Sequence, residues 1–573
     1  MYRQCYYSVR CLSVRAPMPA YAPQTLLETH EVINAPPLFA GRNLYAEDRS
    51  LREAARLHGG DWVKELLSAL GAAAGSEEVL QWGEDANRYA PELLTFDRFG
   101  RRMDEVRFHP AYHRLMALAM EHHIHSIGWK ETREGRHVAH AAMLALFTQA
   151  EAGTMCPISM TYASVPALRH QPDIASVLVA KIVDGVYDAP LRPVSEKRGV
   201  TVGMAMTEKQ GGSDVRANTT RATALGKRGP GAEYRLAGHK WFCSAPMSDA
   251  FLTTAYTDRG LSCFLVPRIK PDGERNTVQI MRLKDKLGNK SNASSEIEYH
   301  DAFAQMVGEE GRGVATIIDM VHHTRLDTMA ASLGIMRRAL AEAVHHVRHR
   351  RAFQKTLIDQ PLMRAVVADI ALDYEAAAML TMRVSRAFDG ESEHDRGFAR
   401  LAVALGKFWI TKRTPQFVYE CLECLGGGGY VEDGPMARYF RESPLNAIWE
   451  GSGNVIALDI LRTFQKEPAA LDAFFEELAP ARGSHPCFDR SFEELHRAVG
   501  NGALEADARY VAETMALALA AALLIRNSSE AVASGFCDVR LSADMRGLNY
   551  GASRARIDMN AIIERQMNGN AAN

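Results

Sequence analysis

Ala205-Met206-Thr207-Glu208-Lys209-Gln210-Gly211-Gly212-Ser213-Asp214 joins an apolar run, Val200 to Met206, to a turn built from two glycines, a hydroxyl and an acid. The run predicts a buried strand and the residues after it predict a turn. Gly211 and Gly212 let the backbone approach a bulky ligand closely, where a Cβ would stand in the way. Thr207 and Ser213 add N–H and O–H donors for an anionic or carbonyl-rich group. A Gly-Gly-Ser loop without a ligand has the same composition, so the turn alone leaves both readings open.

Outward from this turn the texture divides the chain. Tyr234-Arg235-Leu236, Phe251 to Tyr256, Leu261 to Val266, Val278-Gln279-Ile280 and Ile297-Glu298-Tyr299 read as strands of a small sheet or barrel. Before it, Leu51 to Leu57, Trp62 to Leu70, Tyr112 to His125 and Val138 to Ala152 carry apolar residues at helical spacing. After it, Ala315 to His349, Pro361 to Phe388, Phe398 to Gly426 and Ile456 to Gln465 have the lengths of a four-helix bundle. From Lys466 a further helical segment follows, with Ala503 to Ile525 its most periodic stretch. The expected fold is mostly α with a central β domain. Its expected parts are a disordered tail over 1–24, a helical domain over 25–198, a β domain over 199–307, a bundle over 308–465 and a helical extension over 466–573.

At 573 residues the chain can bury a large core, and its 47% apolar and 24% charged residues suit a soluble globular protein. A net charge of −2 supplies no global attraction to nucleic acid or acidic lipid, so any such binding needs a local patch. No uninterrupted apolar run reads as a membrane span. Nine scattered cysteines argue against a disulfide framework and fit a reducing cytoplasm. Cys421-x-x-Cys424 reads as helix packing, and His122, His123 and His125 are spaced too closely on one helix to share a metal; no metal is expected. The Arg- and Tyr-rich first two dozen residues read as a tail, or as sequence ahead of a start at Met18, rather than a mitochondrial-type leader. No G-x-G-x-x-G after a strand, Walker lysine or Ser-His-Asp order is legible.

Two spaced patterns carry a family resemblance. The first is Met206-Thr207-Glu208 followed by Gly211-Gly212-Ser213-Asp214 and Ala217; the second is Glu423, Gly426-Gly427, Gly429-Tyr430, Asp433, Arg438 and Glu442. Both resemble signatures of the acyl-CoA dehydrogenases. With Gly238-His239-Lys240-Trp241-Phe242 and Ile448-Trp449-Glu450-Gly451-Ser452-Gly453-Asn454, the wording is most similar to the alkylation-response, AidB-like branch, from about Thr25 onward.

The resemblance implies FAD held between the sheet and the bundle, in a homo-oligomer, expected to be a tetramer. It implies Glu450 as the base that removes the α-proton of an acyl thioester while hydride leaves the β-carbon. A carboxylate beside Trp449 with little polar company also has a raised pKa by its own surroundings, which suits a weak carbon acid. The implied cofactor contacts are Met206 and Thr207 at the flavin edge, Gly212 and Ser213 at the pyrophosphate or thioester arm, and Trp241 with Phe242 against the ring. Trp449, Gly451, Ser452 and Asn454 belong to the base's loop. Cys243 stands where the family often has Thr, so the hydroxyl contact passes to Ser244. Arg350, Phe353 and Gln360 match an element that reaches a neighbouring subunit's FAD, with Gln354 replacing the usual Gly after the Phe. Glu423, Gly426 and Gly427 complete that inter-subunit site. Arg325 falls where the family keeps an arginine near the base; an ordinary surface arginine is the alternative. His322 replaces an acid often found in coenzyme A binders.

The resemblance also implies duplex DNA binding through the extension, with feeble dehydrogenase activity. From Lys466 onward 11 cations face 15 acids, and ten of the cations are Arg. Arg540, Arg546, Arg554, Arg556 and Arg565 could grip phosphates, while pairs such as Arg554 with Asp558 give a solvated face instead. Two readings stay open: a flavin-bearing DNA-binding protein, and a metabolic dehydrogenase for a short or branched acyl-CoA or related electrophile.

Overall fold

The computed structural model describes residues 23–183, 185–500, 504–542 and 547–567. The expected tail and Met18 lie outside these, as does Arg546.

The N-terminal region is helical, with Arg49–Gly59, Val63–Ala74, Glu77–Arg88, Pro110–Glu121, Arg136–Thr148, Met155–Leu168 and Pro172–Val183 as its main helices. An antiparallel hairpin interrupts it, β1 (Glu92–Phe96) with β2 (Arg102–Arg107). The histidine triplet is not on a helix, which corrects the sequence reading. Pro110–Glu121 stops one residue before His122, His123 turns with φ +58°, and His125 is buried with Nε2 2.8 Å from the Ile182 carbonyl.

The middle region holds β3 (Val202–Ala205), β4 (Arg221–Ala224), β5 (Glu233–Ser244), β6 (Ala250–Thr257), β7 (Gly260–Pro267), β8 (Val278–Leu283) and β9 (Ser294–Val307). The pairings β6–β4–β5–β9–β7–β6 close into a ring, so the sheet is a small barrel, with β3 parallel to β6 and β8 laid on β9. Closure suits the residues: β7 is buried along nearly all its length, while β5 buries Tyr234 and Leu236 and exposes their neighbours.

The bundle consists of Gly313–His349, Pro361–Ala387, Glu393–Cys424 and the shorter closing helix Gly453–Lys466. The first and third helices cross closely at Gly406, where an added Cβ would lie 2.3 Å from Met329 Cε. Beyond the bundle, Pro468–Leu478 and Ala508–Asn527 pack against it, and Pro486–Gly500 packs on Ala508–Asn527. By length and composition Glu505–Asn527 could cross a membrane, a stretch the sequence reading passed over, but most of it is buried inside the protein. The last helix, Met559–Met567, returns to the first: Arg565 pairs with Glu53 on Arg49–Gly59.

The core divides in a way that creates the site. One cluster joins the N-terminal helices, the barrel interior, the bundle and the extension, and a second joins the Met155–Leu168 and Pro172–Val183 helices to barrel strands and to Ile317 and Met320 of the first bundle helix. Trp129, Met204, Met206 and Trp449, all partly accessible, pack at the margin of the second cluster.

Candidate active site between barrel and bundle

Glu450 sits on the short connection between the turn Leu445–Ala447 and the helix Gly453–Lys466. Its φ is +57° and that of Gly451 is +100°. A left-handed Glu is costly and persists only where its surroundings over-determine it. They do here. Trp449 Nε1 donates to Asn446 Oδ1 at 2.9 Å, and Asn446 Nδ2 donates to Ser332 Oγ at 3.0 Å. Lys407, on the third bundle helix, donates to the carbonyls of Asn446 (3.1 Å) and Gly451 (2.8 Å).

The Glu450 carboxyl accepts from Thr324 Oγ1 at 2.6 Å. The residue keeps some accessible surface while the carboxyl itself is enclosed by protein. That enclosure pushes its pKa above the ordinary carboxylate value; the Thr324 bond and the charges of Lys407 and Arg325 pull against it, and Asp327 adds to it. Arg325 is buried, not a surface residue: Nη1 meets Asp459 Oδ2 at 2.8 Å and Nε donates to the Glu450 carbonyl at 3.2 Å. Asp459 also takes two bonds from Arg400, and these guanidiniums hold its carboxyl down to about 2 despite burial.

The first signature is braced from beneath. Glu208, fully buried, accepts from Lys240 Nζ at 2.8 Å and from the Thr219 N–H at 2.6 Å. Its pKa is brought to about 2: burial works against this, and Lys240 and the hydrogen bonds overcome it. This pair ties the turn to the strand carrying Trp241, whose N–H donates to the Thr207 carbonyl at 2.7 Å. Asn218 Nδ2 fixes the Met206 carbonyl at 2.9 Å. Gly212 is exposed, and a Cβ there would stand 3.2 Å from Thr207 Cγ2. Ser213 is exposed beside it. The Trp241 ring is capped by Lys284 Nζ, 3.2 Å from its centroid, and Phe242 is 48% exposed.

Cys243 is fully buried, whereas Ser244 is partly accessible, its hydroxyl 3.4 Å from Ser294 Oγ and hydrogen-bonded to the Cys156 thiol; Ser244 is therefore the more accessible of the two to a ligand. The Cys156 thiol, pushed up to about 12 by burial, feels both the Glu450 charge and the Ser244 hydroxyl, which brings barrel, helix and base loop together. An exposed glycine, accessible Thr207 and Ser244 hydroxyls and a half-open indole suit the edge and face of a flavin.

The remaining implied contacts lie elsewhere. Successive antiparallel helices put the C-terminal ends of the first and third bundle helices at one end of the bundle. There Phe353 and Gln354, both left-handed at φ +49° and +64°, form the tip of a hairpin, so Gln354 takes the backbone geometry the usual Gly would. Phe353 is 93% exposed, Arg350 Nη1 donates to the Asn34 carbonyl at 2.9 Å, and Gln360 Nε2 to the Ala352 carbonyl at 3.1 Å. Glu423, Gly426 and Gly427 are exposed, and a Cβ on either glycine would meet nothing within 4 Å. Within one chain this group does not join Glu450. Asn454 and Ser452 begin the closing helix; Asn454 Oδ1 accepts from Arg509 at 3.1 Å.

Two cavities accompany the site, and Glu450 lines neither. The larger, about 460 Å³, has Lys284, Lys286, Lys290, Arg88 and Arg441 among its walls; the smaller, about 350 Å³, lies between Pro110–Glu121 and the barrel.

The extension corrects two of the arginine assignments. Arg540 is buried and bonded to Asp369 (2.6 Å) and Asp373 (2.8 Å), and Arg565 is buried between Glu375 (2.7 Å) and Glu53 (2.6 Å). A guanidinium so occupied is not available to a phosphate. Arg554 and Arg556 are exposed on an irregular segment, where Arg554 and Asp558 do not share a helix. His485, Cys487 and Asp538 gather at metal-like spacing. His485 Nδ1, however, accepts the Cys487 N–H at 3.2 Å, so its Nε2 carries the proton and faces Asp538 as a donor.

Sequence reasoning missed Thr324 and Lys407, which bear no motif signal because each is one helical residue among many. Glu208 and Lys240 lay within the quoted stretches, and only the fold reveals them as a pair.

Comparison with known proteins places this geometry. Residues 34–189 match the adaptive response protein AidB N-terminal domain, 203–302 the acyl-CoA dehydrogenase middle domain, and 311–464 the acyl-CoA dehydrogenase C-terminal domain. The chain is 42% identical to AidB of Escherichia coli (strain K12) over 91% of this chain and 95% of that protein. Caenorhabditis elegans ACDH-11, solved in complex with C11-CoA, superimposes with a TM-score of 0.81 at 29% identity, covering 90% of this chain and 92% of that one. An acyl-CoA dehydrogenase complexed with FAD from Bacillus anthracis shares the fold, with a TM-score of 0.62 at 17% identity over 85% of each chain. The chain thus belongs to the acyl-CoA dehydrogenase family, in its AidB branch, and is an FAD-dependent oxidoreductase of that type.

Proposed function

We propose that the chain oxidises an acyl-CoA thioester, with Glu450 as the base that removes the α-proton. The observation that carries this is a carboxyl of raised pKa, fixed in a left-handed loop between Thr324 and the Lys407-bound carbonyls, at the seam that also holds Met206 and Trp449. When bound, FAD supplies the hydride acceptor. The chain's own residues do the rest. Thr207, Ser244 and Trp241 orient the flavin, Met206 and Trp449 keep the reacting carbon in apolar surroundings, and a Glu450 oxygen receives the proton. His322, where an acid often sits, is held neutral, its pKa lowered to about 3 by burial and by Arg400 and Arg325. It offers a hydrogen bond rather than a negative charge to the thioester's carrier. C11-CoA in ACDH-11 supports an acyl-CoA as the first substrate to try.

The open glycines 426 and 427 and the exposed Phe353 support completion of the FAD site by a second subunit, in a tetramer. Seven buried cysteines without disulfides among the described residues suit the cytoplasm. Duplex DNA binding in an alkylation response is a second reading. Of the described arginines it now rests on Arg554 and Arg556, with Arg546 outside the described residues, and on copies of them in an oligomer.

The test is anaerobic mixing of the FAD-loaded protein with a panel of acyl-CoAs. Bleaching of the flavin that Glu450→Gln abolishes supports the first reading, and no bleaching with any acyl-CoA overturns it. Duplex binding at two salt concentrations decides the second.

A further inference from the structure

Lys407 is 1% exposed in the middle of the third bundle helix. Among the described residues no carboxylate bonds to it. Its two recorded acceptors are the carbonyls of Asn446 and Gly451, which flank Glu450 on either side. A neutral amine has two N–H donors, and both are satisfied here; an ammonium has three. Burial accordingly draws the pKa of Lys407 down to about 7, with Arg325 and Lys412 pushing the same way and Glu450 opposing.

We propose that Lys407 is a positioning residue for the reaction: its amino group clamps both ends of the Glu450 loop, and its charge sets how readily Glu450 gives up its own proton. The proposal rests on Glu450 being the base. The fold supplies the reason for the clamp. The left-handed backbone at Glu450 cannot relax while carbonyls four residues before and one residue after it are tied to the same rigid helix. Removing the amine frees the loop and leaves two carbonyls unpaired in the core.

The electrostatic part follows from the groups around the pair. Glu450 is faced by Thr324, Arg325 and Asp327 from the first bundle helix and by Lys407 from the third. Arg325 is itself neutralised by Asp459 of the closing helix, shared with Arg400. Lys412, on the same helix as Lys407, lies beside Arg509 and Glu513 of the Ala508–Asn527 helix. Cys156, on the Met155–Leu168 helix, feels the Glu450 charge and is neutral, its thiol pushed up to about 12 by burial. With Arg325 engaged by Asp459, Lys407 is, among the described residues, the cation acting on Glu450 without an acid bonded to it. Its protonated form favours the carboxylate that a base must be.

The experiment measures flavin reduction by an acyl-CoA against pH in wild type, Lys407→Met, Lys407→Arg and Glu450→Gln. Amide hydrogen exchange of residues 444–452 is measured in the same FAD-loaded proteins without substrate. In Lys407→Met the acid limb of the rate profile moves up by about one pH unit and exchange in the loop speeds at least tenfold. In Lys407→Arg the limb stays near its wild-type position. If the methionine protein fails to fold, Lys407→Gln, with two N–H donors and no charge, should show the same shifted limb with a slower loop. A lowered rate with an unmoved limb in every variant overturns the proposal, as does unchanged loop exchange in Lys407→Met. Failure of the base assignment is separable: Glu450→Gln would then reduce flavin as wild type does.

Discussion

Thr324 Oγ1 donates to Glu450 Oε2 at 2.6 Å, a closer acceptor than the Val321 carbonyl of its own helix at 3.1 Å. A hydroxyl placed there favours the charged form, against the burial that raises the pKa. Base strength is thus a balance: enough enclosure to make the carboxylate basic, one hydrogen bond to keep it ionised at working pH.

Thr324→Val keeps the shape and removes that bond. The Glu450 pKa then rises further, so the acid limb of the flavin-reduction profile shifts upward by about one pH unit. A stopped-flow pH series reads the shift; an unmoved limb contradicts it.

Two depressed carboxylates predict acid sensitivity. Glu208 and Asp459 have folded pKa values of about 2, below their ordinary 4.5 and 3.8. Their contribution is present above the ordinary values and lost as pH falls toward about 2. Thermal unfolding should therefore drop steeply below pH about 4, and Glu208→Gln, which leaves Lys240 buried without its partner, should cost about 3–5 kcal/mol at neutral pH. It should also weaken FAD retention, because the pair ties the Gly211–Gly212 turn to the Trp241 strand. A variant as stable as wild type, with full flavin content, would falsify this bracing role.

Lys407 acts in the same direction on the alkaline side. Its folded pKa of about 7 lies below the ordinary 10.5, so across that window the unfolded chain binds more protons and stability rises with pH. A single group of this kind contributes a slope of at most about 1.4 kcal/mol per pH unit. Chemical denaturation of wild type and Lys407→Met at pH values between 7 and 10 checks it: the variant should lose that increment.

The arginines of the extension separate by burial. Arg540→Met takes the guanidinium from buried Asp369 and leaves Asp373 to Arg413 and Tyr550 alone, and should destabilise the fold by about 3–5 kcal/mol. Changing Arg554 and Arg556 to Glu should leave unfolding within about 0.5 kcal/mol of wild type and weaken any salt-dependent duplex binding. Equal stability losses in both variants would contradict this division.

These arginines also mark where the sequence stopped being legible. Five arginines near the end read as a patch, but the acids that take up two of them, Asp369, Asp373, Glu375 and Glu53, lie far upstream, and no local pattern announces such pairing. The bundle helices were legible to within a few residues at most boundaries because each runs for many turns, far longer than a strand. The β1–β2 hairpin was not, since its strands are short and the second is mostly charged. Nor was Met155–Leu168, buried on every side and so without a period, with prolines at 157 and 166 that argue against a helix. Within the site, Glu450, Trp449, Met206, Thr207 and Trp241 carried their resemblance in the sequence and the fold brings them to one seam. Arg350, Phe353, Gln360, Glu423, Gly426 and Gly427 gather at another end of the bundle, which one chain does not join to the base.

The most direct measurement of the central claim is the anaerobic visible spectrum of FAD-loaded wild type and Glu450→Gln during titration with acyl-CoA. The account predicts that wild type loses its flavin absorbance with a competent thioester while Glu450→Gln, folded and with full flavin, keeps it. Bleaching of the Glu450→Gln protein at the wild-type rate would contradict it.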